Sequence, residues 1–174
     1  GRLEIEDYMN NRMLDLGKPY YRAIGNHDTN VYASLIDIRT MYRAYCSHIP
    51  FYPGINYNPD SEGTEYYKDF GKYGIRLIVL NTMYGDLFRF SESTGKWLKT
   101  DALNTDKLIL LCEHLSPVHT MNMNAKPLEN REEVIDALKG VKDRLIQICG
   151  HSHCDYSFSD GDDNYSPWLT VFTT

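Results

Sequence analysis

Six histidines occur in the 174 residues, and five of them, His27, His114, His119, His151 and His153, follow short apolar or aromatic runs. Imidazole is the commonest protein ligand for transition metals and titrates near neutral pH, so histidines gathered in one place can coordinate a cation or move a proton. His48, near the end of a helical pattern, is the exception. His151 and His153 flank Ser152 directly after the run Leu145 to Cys149. Imidazoles at that spacing can face two neighbouring ions only on an extended backbone; a plain β-turn is the competing reading. Gly25-Asn26-His27-Asp28 sets an amide oxygen, an imidazole and a carboxylate side by side.

The elements that must position these groups are visible in the apolar spacing. Leu3, Ile5, Tyr8, Met9, Met13 and Leu16 recur at helical intervals, and Gly17 with Lys18-Pro19 stops that helix. Tyr20 to Ile24 predicts a strand, which places Gly25 to Asp28 in the loop beyond it. Leu35 to Cys46 predicts a second amphipathic helix, and residues 49–63 a loop rich in Pro, Gly, Asn and Asp. Phe51, Tyr52 and Tyr57 in that loop either roof a cleft or pack on the domain. Ile75 to Leu80, Lys107 to Cys112 and Leu145 to Cys149 are near-continuous apolar runs, the pattern of strands buried on both faces. Trp97, Leu98 and Ala102 mark a short helix; Asn130 with Glu133 predicts a capping box opening a helix that Gly140 ends. Asp160-Gly161 reads as a hairpin turn before a strand at Leu169 to Phe172. Strands alternating with helices give an α/β fold, whose ligands collect at the C-terminal ends of the strands.

Composition narrows the partners. Eighteen basic against twenty-four acidic residues give a net charge of −6, so no footprint exists for gripping long nucleic acid, and a phosphorylated small molecule would need positive charge concentrated at one point. No run reaches the roughly 18 apolar residues of a membrane span, and none has the flanks of a signal peptide. Cys46, Cys112, Cys149 and Cys154 form no CxxC pair and read as buried thiols. That leans weakly towards a cytoplasmic protein, although a disulfide would leave the compartment open. Residues 1–174 read as one domain.

The order of three blocks carries a resemblance. Gly25-Asn26-His27-Asp28, then an apolar strand emptying into His114 ahead of Pro117, then Gly150-His151-Ser152-His153 together resemble the last three signature blocks of the calcineurin-like metallophosphoesterases. The segments Tyr66 to Asn81 and Lys96-Trp97-Leu98 are similar to family elements as well, so the likeness spans essentially the whole chain. It implies a layered sandwich of two mixed β-sheets flanked by helices, with two Mn, Fe or Zn ions at the strand ends. On that resemblance Asn26, His114 and His151 are ligands of the second metal and His153 of the first. His27 faces the leaving group and Asp28 orients it. His119 is a rival to His114, but the family places this ligand directly after the strand. The activity implied is hydrolysis of a phosphate mono- or diester by water activated between cations about 3.5–4 Å apart.

Two earlier family blocks, Asp-x-His and Gly-Asp-x-x-Asp or Asn, do not occur ahead of Asn26, and Gly85-Asp86 and Gly161-Asp162 come too late. The expectation is a chain that has lost the N-terminal segment carrying them, with at most one weakly held ion and little activity; a natural pseudoenzyme or scaffold is the alternative. A structural zinc site at Cys149, His151, His153 and Cys154 is the remaining rival, with the right ligand types at a cramped spacing.

Overall fold

The computed structural model describes residues 8, 11–26, 28, 46, 47, 49, 52–84, 88–117, 128–151 and, as backbone, 156–158 and 169–172. Within them lies one mixed sheet of seven strands: β1 (Ile55–Tyr57), β2 (Tyr66–Phe70), β3 (Ile75–Val79), β4 (Leu108–Glu113), β5 (Leu145–Cys149), β6 (Tyr156–Phe158) and β7 (Leu169–Phe172). The strand order is β1-β2-β3-β4-β5-β7-β6. β3, β4, β5 and β7 run parallel, and β1, β2 and β6 are antiparallel additions at the two edges. The α/β expectation holds, and of the two expected sheets one lies among the described residues.

The parallel centre explains how histidines far apart in sequence meet. Glu113 pairs with Cys149 at the last rung of β4 and β5, so His114 and Gly150 leave the sheet side by side, and the Gly150 N–H donates to the His114 carbonyl at 3.1 Å. β3 is buried along nearly its whole length, as its apolar run predicts. β4 and β5 instead alternate buried with half-buried positions, so their apolar runs mark one tightly covered face rather than two.

Helices pack on this sheet. α1 (Thr94–Trp97) continues into a π-helical turn, Leu98–Ala102, and α2 (Arg131–Lys139) buries Val134, Ala137 and Leu138. A Cβ on Gly95 would stand 2.5 Å from Cγ of Glu133, which is how closely α1 and α2 approach. The core gathers Ile24, Tyr66, Ile78, Leu80, Phe90, Leu98, Ile109 and Leu111 at essentially zero exposure. At the end of β3 away from the histidines, Arg76 grips both oxygens of Asp69 at 2.7 and 2.9 Å and lies 4.1 Å over the Tyr67 ring.

Several local expectations are corrected. Tyr20 to Ile24 joins no ladder among the described residues. Its main chain is bonded by tyrosine hydroxyls instead: the Tyr20 N–H donates to Tyr52 and the Arg22 N–H to Tyr66. Tyr21 meanwhile sets its ring against Tyr52, Tyr66 and Phe70. The adjacent tyrosines here serve hydroxyl bonding and ring packing rather than strand pairing. Within the expected loop 49–63 lies β1, where Ile55 and Tyr57 alternate with Asn56 and pair against β2. Tyr52 and Tyr57 pack on Tyr21 and Tyr66, so this loop lies on the domain; Phe51 is outside the described residues. Asn130 adopts a left-handed φ of 60° and makes no side-chain cap, because its amide donates to the Phe90 carbonyl at 3.0 Å. Residues 11–15 are helical and Gly17 turns the chain at φ +63°, as the first expected helix requires. The helix expected at 35–46 and the turn at Asp160-Gly161 lie outside the described residues. Cys46, Cys112 and Cys149 are free thiols.

Two carboxyl groups inside the fold give a pH dependence. Glu65 accepts from Asn58 Nδ2 at 2.6 Å, Thr94 Oγ1 at 2.9 Å and the Asn81 N–H at 3.4 Å, all neutral donors. Burial pushes its pKa up to about 7, and burial pushes Glu113 up to about 8. The folded state therefore holds protons that the unfolded chain releases near pH 4.5, so stability is highest below that value and falls as pH rises through 7 to 8. The Glu65→Gln variant keeps the volume without the ionisation. In urea melts at pH 5 and pH 8 it loses less stability than wild type, by about 3 kcal/mol.

Candidate metal centre

Three heteroatoms from three loops converge at the C-terminal edge of the parallel strands. His114 Nε2 lies 2.7 Å from Asn26 Oδ1 and 3.1 Å from His151 Nδ1, and the triangle closes with His151 Nδ1 3.4 Å from Asn26 Oδ1. Ligands about 2.1 Å from a common cation stand roughly 3.0–3.5 Å apart at coordination angles between 90° and tetrahedral. The 3.1 and 3.4 Å edges fall in that range and the 2.7 Å edge, a hydrogen-bond distance, is a few tenths shorter, so a small opening of the triangle gives one face of such a shell; two imidazoles with an amide oxygen suit a transition-metal ion. The donor set fits the ion that the sequence resemblance implies. Among the described residues no group of three or more His, Cys, Asp or Glu side chains is placed to hold a metal; this centre contains two such residues and completes its face with an amide.

Each vertex is held by its own local structure. The His114 ring sits between Gly25 and Gly150, where added Cβ atoms would stand 3.0 and 3.3 Å from its Nδ1. A side chain at either place would press on the ring, more so at Gly25. The adjoining Leu115 N–H donates to Thr82 Oγ1 beyond β3, tying the loop to a third strand. His151 has φ +67°, a left-handed conformation that non-glycine residues adopt sparingly and that concentrates at functional sites. Its imidazole stands edge-on to His114, with centroids 5.0 Å apart, and against Phe88 at 5.8 Å. Asn26 is buried, at 4% exposure. It projects from a turn closed twice: the Asp28 N–H donates to the Gly25 carbonyl at 3.0 Å, and the Gly25 N–H donates to Asp28 Oδ2 at 2.8 Å.

Behind the imidazoles lies a layer of polar groups that the sequence reading passed over. Glu113 is fully buried and accepts from Gln147 Nε2, which also reaches Ser116 Oγ at 3.2 Å. Its Oε2 has no partner, and burial pushes its pKa up. The signal was present as a lone acid closing the apolar run Leu108 to Cys112.

The structure thus brings together Asn26, His114 and His151 from the expected site. Asp28 lies in the same loop, closing the turn. His27, His153 and the rival His119 lie outside the described residues. Of the structural zinc site's four residues, Cys149 Sγ lies 3.8 Å from Glu113 Oε1 and His151 faces His114, while His153 and Cys154 lie outside the described residues.

The model of the calcineurin-like phosphoesterase family matches residues 1–155. The chain belongs to that family, a family of metal-dependent phosphoesterases. No curated protein matches the chain. No helix among the described residues is long and apolar enough to cross a membrane.

Proposed function

We propose that Asn26 Oδ1, His114 Nε2 and His151 Nδ1 hold one divalent transition-metal ion, of Mn, Fe or Zn type, and that the substrate is a small phosphate ester. The observation that carries this is the closed triangle of donor atoms at 2.7, 3.1 and 3.4 Å. When bound, the metal supplies positive charge and Lewis acidity to the phosphate oxygens. All three ligands are neutral, so the chain leaves that charge to the substrate. His27, next to the ligand Asn26, is the group proposed to give a proton to the departing oxygen, a task suited to an imidazole titrating near neutral pH.

Neutral ligands also make for weak binding, since no anion offsets the cation's charge. The 174 residues contain no Asp-x-His, the block that supplies the first ion's site in the family pattern. One weakly held ion and slow turnover follow. An aryl phosphate assay with and without millimolar manganese tests the proposal: slow hydrolysis that needs the metal supports it. Metal binding with no hydrolysis at all would favour the non-catalytic scaffold.

A further inference from the structure

Asn26 contributes its oxygen from a tight turn, and that turn is not held by its own backbone alone. The Asp28 carboxylate that receives the Gly25 N–H on Oδ2 receives Arg22 Nη2 on Oδ1 at 3.3 Å. Arg22 and Asp28 are both largely shielded, with side-chain exposures of 23% and 19%, so the pair is less screened than a surface ion pair. Arg22 is itself fixed from the sheet. The Tyr66 hydroxyl accepts from the Arg22 N–H at 2.9 Å and donates to the Arg22 carbonyl at 3.2 Å, and Tyr66 is a fully buried residue of β2.

A continuous chain of contacts therefore runs from β2 through Tyr66, Arg22, Asp28 and the Gly25 N–H to the peptide that carries Asn26. The other two vertices, His114 and His151, leave from β4 and β5.

We infer that Arg22 is a positioning residue for the metal centre: through Asp28 it locks the Gly25 to Asp28 turn so that the Asn26 oxygen meets the two imidazoles. The inference rests on the metal-holding role proposed for Asn26. Groups that orient ligands from behind typically change metal affinity by 10- to 100-fold when removed. Arg22 does so at one remove, through a loop, and the effect belongs at the lower end of that range.

Cobalt(II) titration of the full 174-residue chain, followed by its visible absorption, tests it with four variants and a thermal melt of each. Arg22→Met, which keeps the stem and removes the charge, weakens cobalt binding about tenfold, and Arg22→Lys recovers part of the loss. Arg76→Met breaks the Asp69 ion pair at the far end of β3 and leaves cobalt affinity unchanged, so a loss that merely follows lowered stability would show in both. His114→Ala loses the cobalt spectrum. If Arg22→Met does not fold, Arg22→Lys decides: affinity between one and ten times weaker supports the inference, and affinity equal to wild type overturns it. Wild-type affinity in a folded Arg22→Met, with His114→Ala still defective, overturns the role of Arg22 alone. Equal cobalt binding by wild type and His114→Ala overturns the metal centre itself and the inference with it.

Discussion

Replacing His114 by alanine removes manganese binding, with affinity falling by more than about a hundredfold, and takes metal-dependent phosphoesterase activity down with it. His114 Nε2 is the vertex nearest to both other donors, at 2.7 and 3.1 Å, while Asn26 and His151 face each other at 3.4 Å. Two neutral ligands at that separation cannot retain an ion that three hold only weakly. The fold survives the change. The ring lies beyond the ladder, in a slot between two glycines, so its loss costs about 1–2 kcal/mol as an ordinary partly buried truncation. Manganese titration followed by electron paramagnetic resonance, beside a urea melt, separates the two effects: lost binding with a nearly unchanged melt is the expected pair.

Gly25→Ala gives the second large effect by moving the ring instead of deleting it. The new methyl would sit 3.0 Å from Nδ1 and 3.1 Å from Cε1 of His114, tight enough that the ring must give by a few tenths of an ångström. Gly25 does not adopt a positive φ, so alanine brings no backbone strain and the consequence is confined to the imidazole. A shift of a few tenths of an ångström opens the donor triangle and lowers manganese affinity on the order of tenfold. Gly150→Ala, with its nearest approach at 3.3 Å, produces a smaller loss in the same titration. Equal effects from both would show that the slot is not what places the ring.

The strands and loops that carry the site were legible because they rest on short-range pattern. Apolar runs at Ile75 to Leu80, Lys107 to Cys112 and Leu145 to Cys149 become β3, β4 and β5, and the residues directly after two of them, His114 and Gly150-His151, occupy the centre. Parallel pairing does the rest, since equal registers bring equal strand ends together. Illegible were the features decided by tertiary partners. Nothing local in Tyr20 to Ile24 says that tyrosine hydroxyls from β2 and from Tyr52 will satisfy its main chain. Nothing near Asn130 reveals that Phe90 will claim its amide and leave the capping box unmade. Arg22 gave no signal either, because its role depends on a carboxylate six positions on and a hydroxyl forty-four positions away. Glu113 stood out only as a charge at the end of an apolar run, and its partners Gln147 and Cys149 come from the neighbouring strand.

The most direct measurement is the anomalous scattering of crystals of this chain soaked in manganese and recorded near the metal's absorption edge. The account predicts a single principal peak within about 2.0–2.4 Å of Asn26 Oδ1, His114 Nε2 and His151 Nδ1 together. A well-ordered site with the three side chains in place and no peak between them, or a peak bound by other residues, would contradict it.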